Sequence, residues 1–484
     1  MSATAAPADS FDLEAARARQ MARSVMPPPS AASIHLVIAF ASFVIFGIAQ
    51  LYAFTQMVML ADRLSGILRA ALVALSASAF LAFTLFAMLR QAILMAFAYS
   101  GATSAAREKH AEREVWPGVS ILVPAYNEAG RIERAIESLI ALDYPHLEVI
   151  VVDDGSTDRT YALAAPFAGK HGQKQVRVLT KKNGGKWSAL NLGFHEAGNE
   201  LIVCVDADSQ LEPDSLRLLA AHFDDPNLGG CCGQVSVRNT KNLITRLQSF
   251  EYVQLNGLAR QAQSTFGSVL VAPGPLSMFR RKVLAEVWTS WGAPQQLPIV
   301  KPGPRIYGPW EDDTFAEDAD LTMNVLLTGH TMTYEPAAIS RTSAPENTFT
   351  LLNQRYRWTR GNFQAVLKAW RRWREAPRAP KTLPLWLGSL LLETIVWPAV
   401  NLAGLAGFLM LVILFGVHVP LIAWFVSLTL IDLNAAAFSA RIERSSMKIV
   451  SLSLLSRLYF NVLLDVSKGF ALYDEFRGRG MTWS

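Results

Sequence analysis

Two long stretches without a charged residue constrain what this chain can fold into. No Asp, Glu, Lys or Arg occurs from Ser33 to Ala61 or from Ala70 to Leu89. Each stretch exceeds the ~18 apolar residues that indicate a membrane-spanning helix. The first is too long for the apolar core of a signal peptide and is not followed by a small-residue cleavage site, so we expect it to remain as an anchor. Residues 33–100 are therefore predicted to form two transmembrane helices.

A second apolar block runs from Leu383 to Ile431 and is interrupted only by Glu393 and a Gly-Val-His-Val-Pro turn. With a last apolar segment from Ile449, residues 383–472 are predicted to form about three further transmembrane helices. Polar and charged residues recur at helical spacing in that last segment: Arg457, Asn461, Asp465 and Lys468. Ionisable groups at membrane depth are costly, so this stripe is expected to face a polar channel or the bundle interior; long side chains reaching the membrane surface are the alternative.

Basic residues cluster beside the apolar segments. They lie in four groups: Arg17, Arg19 and Arg23; Arg90, Arg107 and Lys109; residues 371–381; and residues 441–448. The positive-inside rule places all four groups, and the soluble region between the apolar blocks, in the cytoplasm of a multi-pass inner-membrane protein. This bias accounts for the formal net charge of +5. Because the soluble region has no basic stripe with interleaved aromatic residues, no nucleic-acid partner is expected.

The soluble region, predicted at residues 115–348, has the pattern of an α/β domain. Short β-branched runs (VSILVPAY, LEVIVVDDG, VRVLT and NELIVCVDAD) alternate with helical patterns such as AGRIERAIESLIAL. This alternation predicts βαβ units and a parallel sheet. The cysteines, Cys204, Cys231 and Cys232, lack metal-site spacing and are predicted to be reduced packing residues. Residues 1–32 are expected to form a mobile tail with one short helix, and residues 473–484 a C-terminal tail.

Polar motifs follow the predicted strands. The first strand ends in PAYNE (124–128), the second in DDGSTD (153–158), and a later one in DAD (206–208). In open α/β sheets ligands bind beyond the carboxyl ends of the strands, so these motifs are candidates for a binding site. The DDGSTD motif is also typical of a helix N-terminus, where Asp and Ser accept backbone amide protons, and both interpretations stay open.

The DAD motif indicates a metal site. Alternation along a strand directs the side chains of Asp206 and Asp208 to the same side. Two carboxylates so close repel each other unless a cation or hydrogen bonds compensate. The cation that suits them is Mg²⁺ or Mn²⁺, which also binds phosphate oxygens. A solvated acidic pair in a loop is the alternative.

The segment KKNGGKWSALNLG (181–193) suggests an anion site. Paired glycines allow the backbone to approach an anion closely, and Lys186 supplies a positive charge. The segment does not match the Walker pattern, which argues against a P-loop nucleotidase. A surface loop with solvated lysines is the alternative.

Acidic residues open a later helical pattern, FAEDADLTMNVLLTGH. Glu317, Asp318 and Asp320 fall in its first turn, where acids are favoured by the helix dipole. An acid at this position beside a sugar site can instead act as the general base that deprotonates an acceptor hydroxyl.

The stretch NQRYRWTRGN lies just before the second apolar block. If residues 349–375 are helical, Gln354, Arg357 and Trp358 share one face. The guanidinium of Arg357 can then donate paired hydrogen bonds to a departing diphosphate, and the indole of Trp358 offers a flat surface for a sugar ring. An amphipathic interface helix at 349–381, in which Arg and Trp favour the membrane surface, is the alternative, and the two roles are compatible.

The order of these motifs resembles that of a known family. VPAYNE, DDGSTD, NGGK, DAD, AED and QRYRW occur in the order found in the membrane-embedded processive synthases of glycosyltransferase family 2, which make cellulose, chitin oligomers, hyaluronan and poly-N-acetylglucosamine. The resemblance covers roughly residues 119–368 and the flanking spans. It implies a cytoplasmic GT-A type (Rossmann-like) domain inserted between transmembrane helices, inverting transfer from a UDP-sugar, and extrusion of the growing polysaccharide.

The resemblance also implies roles for individual residues. Nucleotide-sugar binding falls to Ala125, Asn127, Glu128, Asp153, Asp154, Lys186, Asp206, Gln354 and Arg357. Metal binding falls to Asp206 and Asp208, acceptor binding to Gly274, Pro275 and Trp358, and catalysis to Asp318 as the base with Glu317 beside it. UDP-N-acetylglucosamine is slightly favoured as donor over UDP-glucose, and accessory membrane or export subunits are possible partners.

Two features depart from the family pattern. The family's usual Thr-Glu-Asp triplet has Ala316 in place of threonine, which removes any hydroxyl contact there. Residues 289–313 form a longer connection than the family pattern has. Three roles stay open for this connection: a gating loop, an extra substrate contact or a surface for a partner.

The competing functional hypothesis is a non-processive transferase that adds a sugar to a lipid-linked acceptor. The length of the product discriminates between this hypothesis and a processive synthase.

Overall fold

The computed structural model describes residues 12–24, 29–61, 66–105, 115–291, 306–416 and 419–480. Some predictions concern residues outside these ranges. They are residues 1–11 and 25–28 of the N-terminal tail, Arg107 and Lys109, residues 292–305 of the long connection, residues 417 and 418 of the predicted turn, and the last four residues of the chain.

Within these ranges nine strands form one sheet, with the order β3-β4-β2-β1-β5-β8-β7-β9-β6. Their bounds are β1 Val119–Ala125, β2 Leu147–Asp153, β3 Gly169–His171, β4 Lys174–Thr180, β5 Leu201–Cys204, β6 Gln210–Leu211, β7 Leu228–Val237, β8 Ser277–Arg280 and β9 Thr331–Thr342.

Helices cover both faces of the sheet. In the sequence they occur before, between and after the strands. Before and within the sheet they are α1 Leu13–Ser24, α2 Ser33–Ala61, α3 Ile67–Ala105, α4 Ile132–Ile140, α5 Thr160–Ala164, α6 Lys186–Glu196, α7 Ser215–Ala221, α8 Leu243–Gln254, α9 Gln261–Ser264, α10 Arg281–Trp291 and α11 Glu317–Leu327. After the sheet they are α12 Thr348–Trp373, α13 Leu383–Leu391, α14 Trp397–Phe415, α15 Val419–Ile442, α16 Ser453–Leu455 and α17 Asn461–Phe476.

The sheet is mixed, so the prediction of a parallel sheet is only partly right. Strands β1, β2, β4 and β5 are parallel, as the alternating pattern predicted. Strand β8 runs antiparallel to both β5 and β7, and β3 and β6 pair antiparallel at the edges. The reason lies in the chain path: after α9 the chain returns along the edge where β5 ends, and Ser277 pairs with Cys204 there. This path brings Gly274 and Pro275 to the carboxyl edge of β1 and β5.

Alternate residues of the central strands pack into two different cores. Val119, Ile121 and Val123 of β1 contact the helices on one face, while Leu122 belongs to the core of the other face. The core that contains Leu122 continues into the apolar helices, because it includes Met95 of α3, Trp386 of α13 and Phe438 of α15. The three cysteines are free and buried, as predicted. The soluble domain therefore shares its core with the helical bundle.

Four helical segments within the described ranges are long and apolar enough to cross a membrane: Ala70–Thr103, Leu383–Ile413, Phe425–Ile442 and Met447–Phe476. Helix α2 adds 29 residues without a charge. In the polar stripe of the last segment, Arg457 pairs with Asp432 of α15, and Asp465 accepts a hydrogen bond from Asn401 of α14 and pairs with Lys468. Arg457 and Asp465 therefore face neighbouring helices, as expected, whereas Lys468 contacts Asp465 of its own helix and Asn461 is exposed.

A glycine joins the soluble domain to the bundle. Helix α8, a π-helical turn at Leu255–Arg260 and α9 follow one another without a break. A Cβ atom at Gly257 in that turn would lie 3.0 Å from both the Cα and the carbonyl oxygen of Ser439 on α15. The backbones thus meet where only a glycine fits without displacement.

Replacing Gly257 by leucine is predicted to destabilise the protein by about 1–3 kcal/mol, because a side chain at this crossing forces the π-helical turn and α15 apart. Thermal unfolding in detergent measures the effect. Gly388→Leu on α13 is the matched control, because a Cβ at Gly388 meets nothing within 4 Å. Equal melting temperatures for the two variants would contradict the close packing at Gly257.

Candidate active site

The loop after β1 is tied to the DDGSTD motif by side-chain hydrogen bonds. Asn127 has a positive φ of 57°, which turns the chain sharply after Tyr126. Its side-chain oxygen accepts a hydrogen bond from the Thr157 amide at 2.9 Å, and its own amide donates to the Ser156 hydroxyl at 3.0 Å. The Glu128 amide donates to the Thr160 hydroxyl at 2.7 Å. The two motifs that follow β1 and β2 therefore form one surface at the carboxyl edge of the sheet.

Asp153 and Asp154 are buried, each with 3% of its surface exposed. Asp153 accepts a hydrogen bond from the Thr180 hydroxyl at the end of β4. Asp154 pairs with Lys181 at 2.6 Å and accepts hydrogen bonds from the amides of Gly184 and Gly185 at 3.0 and 2.7 Å. The expectation that the paired glycines bind a ligand anion is therefore wrong for these amides: the anion they bind is the carboxylate of Asp154.

The predicted helix-capping role belongs to the end of the same motif. The carboxylate of Asp158 accepts hydrogen bonds from the Thr160 amide at 2.9 Å and from the Ala129 amide at 3.2 Å. These bonds stabilise the ionised carboxylate, and hydrogen bonding to Thr160 lowers the pKa of Asp158. The motif therefore serves both interpretations, with Asp153 and Asp154 in the interior and Asp158 at the start of α5.

Lys186 lies at the centre of the site. It is the first residue of α6, and its ammonium group contacts Asp206 Oδ1 at 2.8 Å and Glu317 Oε1 at 3.0 Å. Burial opposes its charge, but the carboxylates of Asp206, Glu317 and Asp318 outweigh burial and raise the pKa of Lys186 well above its ordinary value. The lysine thus stays cationic and joins the end of β5 to the start of α11.

Asp318 is oriented by two backbone amides. The Ala319 amide donates to its Oδ1 at 2.8 Å, and the Gly274 amide approaches its Oδ2 at 3.3 Å. Burial raises the pKa of Asp318 to about 6, the charge of Glu317 acts in the same direction, and Lys186 opposes both. A carboxylate with this pKa is ionised at neutral pH and is a stronger base than an ordinary aspartate.

The carboxylates of Asp206 and Asp208 fit a divalent cation. Asp208 accepts hydrogen bonds from the hydroxyls of Thr342 and Ser209, both at 3.2 Å. The pKa of Asp208 is raised by burial and by the negative charge of Asp206. The pKa of Glu128 is raised by burial and by the negative charges of Asp208 and Asp206. This crowding of negative charge is what a divalent ion relieves.

Within the described residues no group of three or more Asp, Glu, His or Cys side chains is arranged to hold a metal ion. Two carboxylates are nevertheless sufficient for an ion of this type, because Mg²⁺ is usually bound through one or two protein carboxylates together with substrate phosphates and water. The donor set therefore suits an ion that arrives with a diphosphate.

A pocket opens beside this cluster. Its polar wall is formed by Lys186, Asp206, Glu317 and Asp318, and its apolar wall includes Leu190, Phe279, Trp310 and Leu321. Trp310 comes from the end of the long connection, and the buried side chain of Asn191 on α6 holds it there. The Asn191 amide group donates to the carbonyls of Ile306 and Trp310 at 2.9 Å each and accepts from the Trp310 amide at 3.2 Å. The described end of the connection is thus part of the site wall.

The helix that carries the QRYRW motif crosses the start of α11. A Cβ at Gly361 would lie 2.6 Å from the Ala316 amide nitrogen and 2.7 Å from the Ala316 Cβ. Ala316, the residue that departs from the family triplet, therefore meets a glycine of α12. Gln354, Arg357 and Trp358 lie within two turns of this contact, and Arg357 and Trp358 are exposed.

Several residues that support the site were not predicted. Lys368 of α12 contacts Asp313 at 2.7 Å and Asp320 at 2.9 Å, and Arg372 contacts Glu311 at 2.7 Å. On another face of α12, Tyr356 donates to Asp474 at 2.8 Å, Arg360 pairs with Glu475 at 2.6 Å, and Gln364 donates to Glu475 at 2.9 Å. The spacing of Tyr356, Arg360 and Gln364 by four residues was a usable signal for this second face.

Gly361→Val is predicted to lower both stability, by about 1–3 kcal/mol, and catalytic turnover, because its side chain collides with the backbone at Ala316 and displaces α12 from α11. Thermal unfolding and turnover are the two measurements. Asn353→Val is the control, because Asn353 is exposed on the same helix. A Gly361→Val variant as active and as stable as Asn353→Val would contradict the described contact.

Comparison with known proteins agrees with this arrangement. Residues 120–288 match the model of the family described as Glycosyl transferase family 2. A poly-beta-1,6-N-acetyl-D-glucosamine synthase from Staphylococcus epidermidis is 28% identical over 258 residues, which cover 53% of this chain and 57% of the relative. The synthase of the same name from Staphylococcus aureus strain MSSA476 is 29% identical over 252 residues, 52% of this chain and 56% of the relative. The chain thus matches little more than half the length of these relatives.

Among solved structures, the mannosyltransferase PcManGT from Pyrobaculum calidifontis, determined in complex with GDP-Man and Mn²⁺, is similar in fold. It superposes with a TM-score of 0.56 at 18% identity, and the match covers 84% of this chain and 100% of that chain. At this identity the similarity concerns the fold, which is of the GT-A type. Residues 120–288 thus match the glycosyl transferase family 2 model within a GT-A-like fold, and apolar helices long enough to cross a membrane lie on both sides of this region in the sequence.

Proposed function

We propose that this protein is a processive β-glycosyltransferase that polymerises N-acetylglucosamine from UDP-N-acetylglucosamine by inverting transfer, and that it extrudes the product through the helices beside the site. The observation that carries the proposal is the contact of Lys186 with Asp206 and Glu317, with Asp318 adjacent. The cation Lys186, the proposed metal ligand Asp206 and the proposed base Asp318 then border a single pocket. The relatives named as poly-beta-1,6-N-acetyl-D-glucosamine synthases support the donor and the polymer.

The donor side of the proposed site holds a nucleoside diphosphate. Ala125, Asn127, Glu128, Asp153 and Asp154 shape the surface for the base and ribose, and for the two buried aspartates this role is to position the loops that contact the nucleotide. Asp206 and Asp208 would hold Mg²⁺ or Mn²⁺, which when bound neutralises charge on the diphosphate. Lys186 turns from its carboxylate partners to the diphosphate, and Gln354 and Arg357 contact the departing group from α12.

The acceptor side consists of Gly274, Pro275 and Trp358. Asp318 removes the proton of the acceptor hydroxyl while that oxygen attacks the anomeric carbon and the bond to the diphosphate breaks. Glu317 is engaged with Lys186 at 3.0 Å, so we assign the base role to Asp318 and a positioning role to Glu317. Holding the two substrates in line supplies part of the rate acceleration.

The membrane setting fits a growing polymer. The core under the sheet includes residues of α3, α13 and α15, so the site lies against the bundle. We place the catalytic domain on the cytoplasmic face of the plasma membrane, where UDP-sugars are available and where the positive-inside rule puts the basic loops. The partners are then the UDP-sugar, the polysaccharide, the bilayer and possible export subunits.

A panel of UDP-sugars supplied to the purified protein, followed by mass analysis of the products, tests this proposal. The expected result is a ladder of oligomers that differ by one N-acetylhexosamine, formed from UDP-N-acetylglucosamine. Addition of a single sugar to a lipid acceptor would overturn processivity and favour the non-processive alternative, and a glucose ladder would overturn the donor.

Metal dependence is the first prediction of the proposal. Chelation is expected to abolish turnover and added Mg²⁺ or Mn²⁺ to restore it, because the diphosphate otherwise leaves with its charge uncompensated. Asp208→Ala is expected to be inactive yet folded, while Glu133→Ala, in the first turn of α4, serves as the control. Full turnover in excess chelator would refute the metal assignment.

Asp318→Asn is predicted to lower kcat by at least ~10², with little change in donor affinity, as expected for loss of a general base. Single-turnover transfer, with UDP binding measured in parallel, separates the two effects. Asp312→Asn, on the preceding loop, is the matched control. Near-normal transfer by Asp318→Asn would mean that another group is the base.

The pH dependence follows from the pKa of about 6 that burial gives Asp318. The base acts in its ionised form, so kcat/KM is expected to be level above neutral pH and to fall as pH decreases through about 6. A pH profile of kcat/KM, with stability checked at each pH, tests this. An acidic limb near 4, the range of an ordinary aspartate, would contradict the described environment of Asp318.

A further inference from the structure

Trp358 does not stand alone on α12. Its side chain is 38% exposed, and the guanidinium carbon of Arg355 lies 4.2 Å from the centre of its indole ring. A guanidinium at this distance covers one face of the ring and is attracted by its π electrons. With one face covered by Arg355, the exposed part of the indole is left for a ligand on the other side.

Arg355 is itself held in place. It is 6% exposed, donates to Glu251 of α8 at 2.6 Å and donates to the side chain of Gln354 at 2.7 Å. Its guanidinium also lies 5.9 Å from the ring centre of Tyr252, next to Glu251. The planar cation therefore connects a fixed point on α8 to the ring of Trp358.

We infer that Arg355 is a positioning residue for acceptor binding: anchored by Glu251, it holds the indole of Trp358 at one angle so that its open face meets the terminal sugar. This inference rests on the proposed function, which supplies the sugar acceptor. A flat ring on a helix surface otherwise turns about two side-chain torsions, and a ligand that stacks on it must first stop that motion. A pre-oriented ring removes this cost from acceptor binding.

Steady-state kinetics on the full-length protein test the inference, with saturating UDP-N-acetylglucosamine as donor and a β-1,6-linked N-acetylglucosamine trisaccharide as acceptor. Arg355→Met is expected to raise the acceptor KM about 3- to 30-fold, the range of a desolvated cation–π contact, with kcat unchanged. Arg355→Lys keeps the positive charge but loses the planar guanidinium, so its acceptor KM should lie between those of the unaltered protein and of Arg355→Met. Arg371→Met, an exposed arginine of the same helix, is the control.

A double variant distinguishes positioning from general structural damage. If Arg355 acts through the indole, adding Arg355→Met to Trp358→Ala causes no further rise in acceptor KM. A further rise, or an unchanged KM in Arg355→Met alone, would overturn the inference. If Arg355→Met fails to fold, Glu251→Gln replaces it in the test. This variant weakens the anchor but keeps Arg355, so a smaller rise in the acceptor KM is expected. If Trp358→Ala alone leaves the acceptor KM unchanged, the acceptor role given to Trp358 under the proposed function fails as well.

Discussion

The ion contacts of Lys186 with Asp206 and Glu317 organise the rest of this structure. They join the first residue of α6, the loop after β5 and the start of α11, which are distant in the sequence. Like charges on Asp206, Glu317 and Asp318 could not lie so close without this cation. The same arrangement leaves the carboxylate of Asp318, whose pKa is raised, next to a cation that suits a diphosphate, so the electrostatics that stabilise the site also fit the glycosyl transfer that we propose.

Around this centre the fold supplies two supports from different directions. The sheet edge provides Asp206, Asp208 and the loops tied by Asn127 and Asp154. Helix α12 provides Arg357 and Trp358. It is held by Gly361 against Ala316, by Lys368 and Arg372 against the acidic residues near α11, and by Arg360 against Glu475 near the end of α17. Helix α12, to which we assign acceptor binding, is therefore bonded both to α11, which carries the proposed base Asp318, and to the end of α17.

Much of this could be read from the sequence, because local patterns dictate it. Strands β1, β2, β4 and β5, the apolar helices and the acidic start of α11 all follow from periodicity and from residues at strand ends. The antiparallel β8 was missed because a four-residue strand has almost no periodic signal. The paired glycines were misread because nothing local shows that Asp154, some thirty positions earlier, occupies their amides. The contacts of Arg355 with Glu251 and of Asn191 with Trp310 depend on tertiary packing that no spacing reveals.

The proposed mechanism requires Lys186 to exchange its carboxylate partners for a nucleotide diphosphate, and UDP binding tests this exchange most directly. Calorimetric titration of UDP into the full-length protein, with and without Mn²⁺, should show tight binding only with the metal. In Lys186→Gln the affinity should fall by about tenfold or more, the size expected for loss of a charge-assisted contact. Equal UDP affinity in Lys186→Gln and the unaltered protein, each folded and in the presence of Mn²⁺, would contradict the central role given to this lysine.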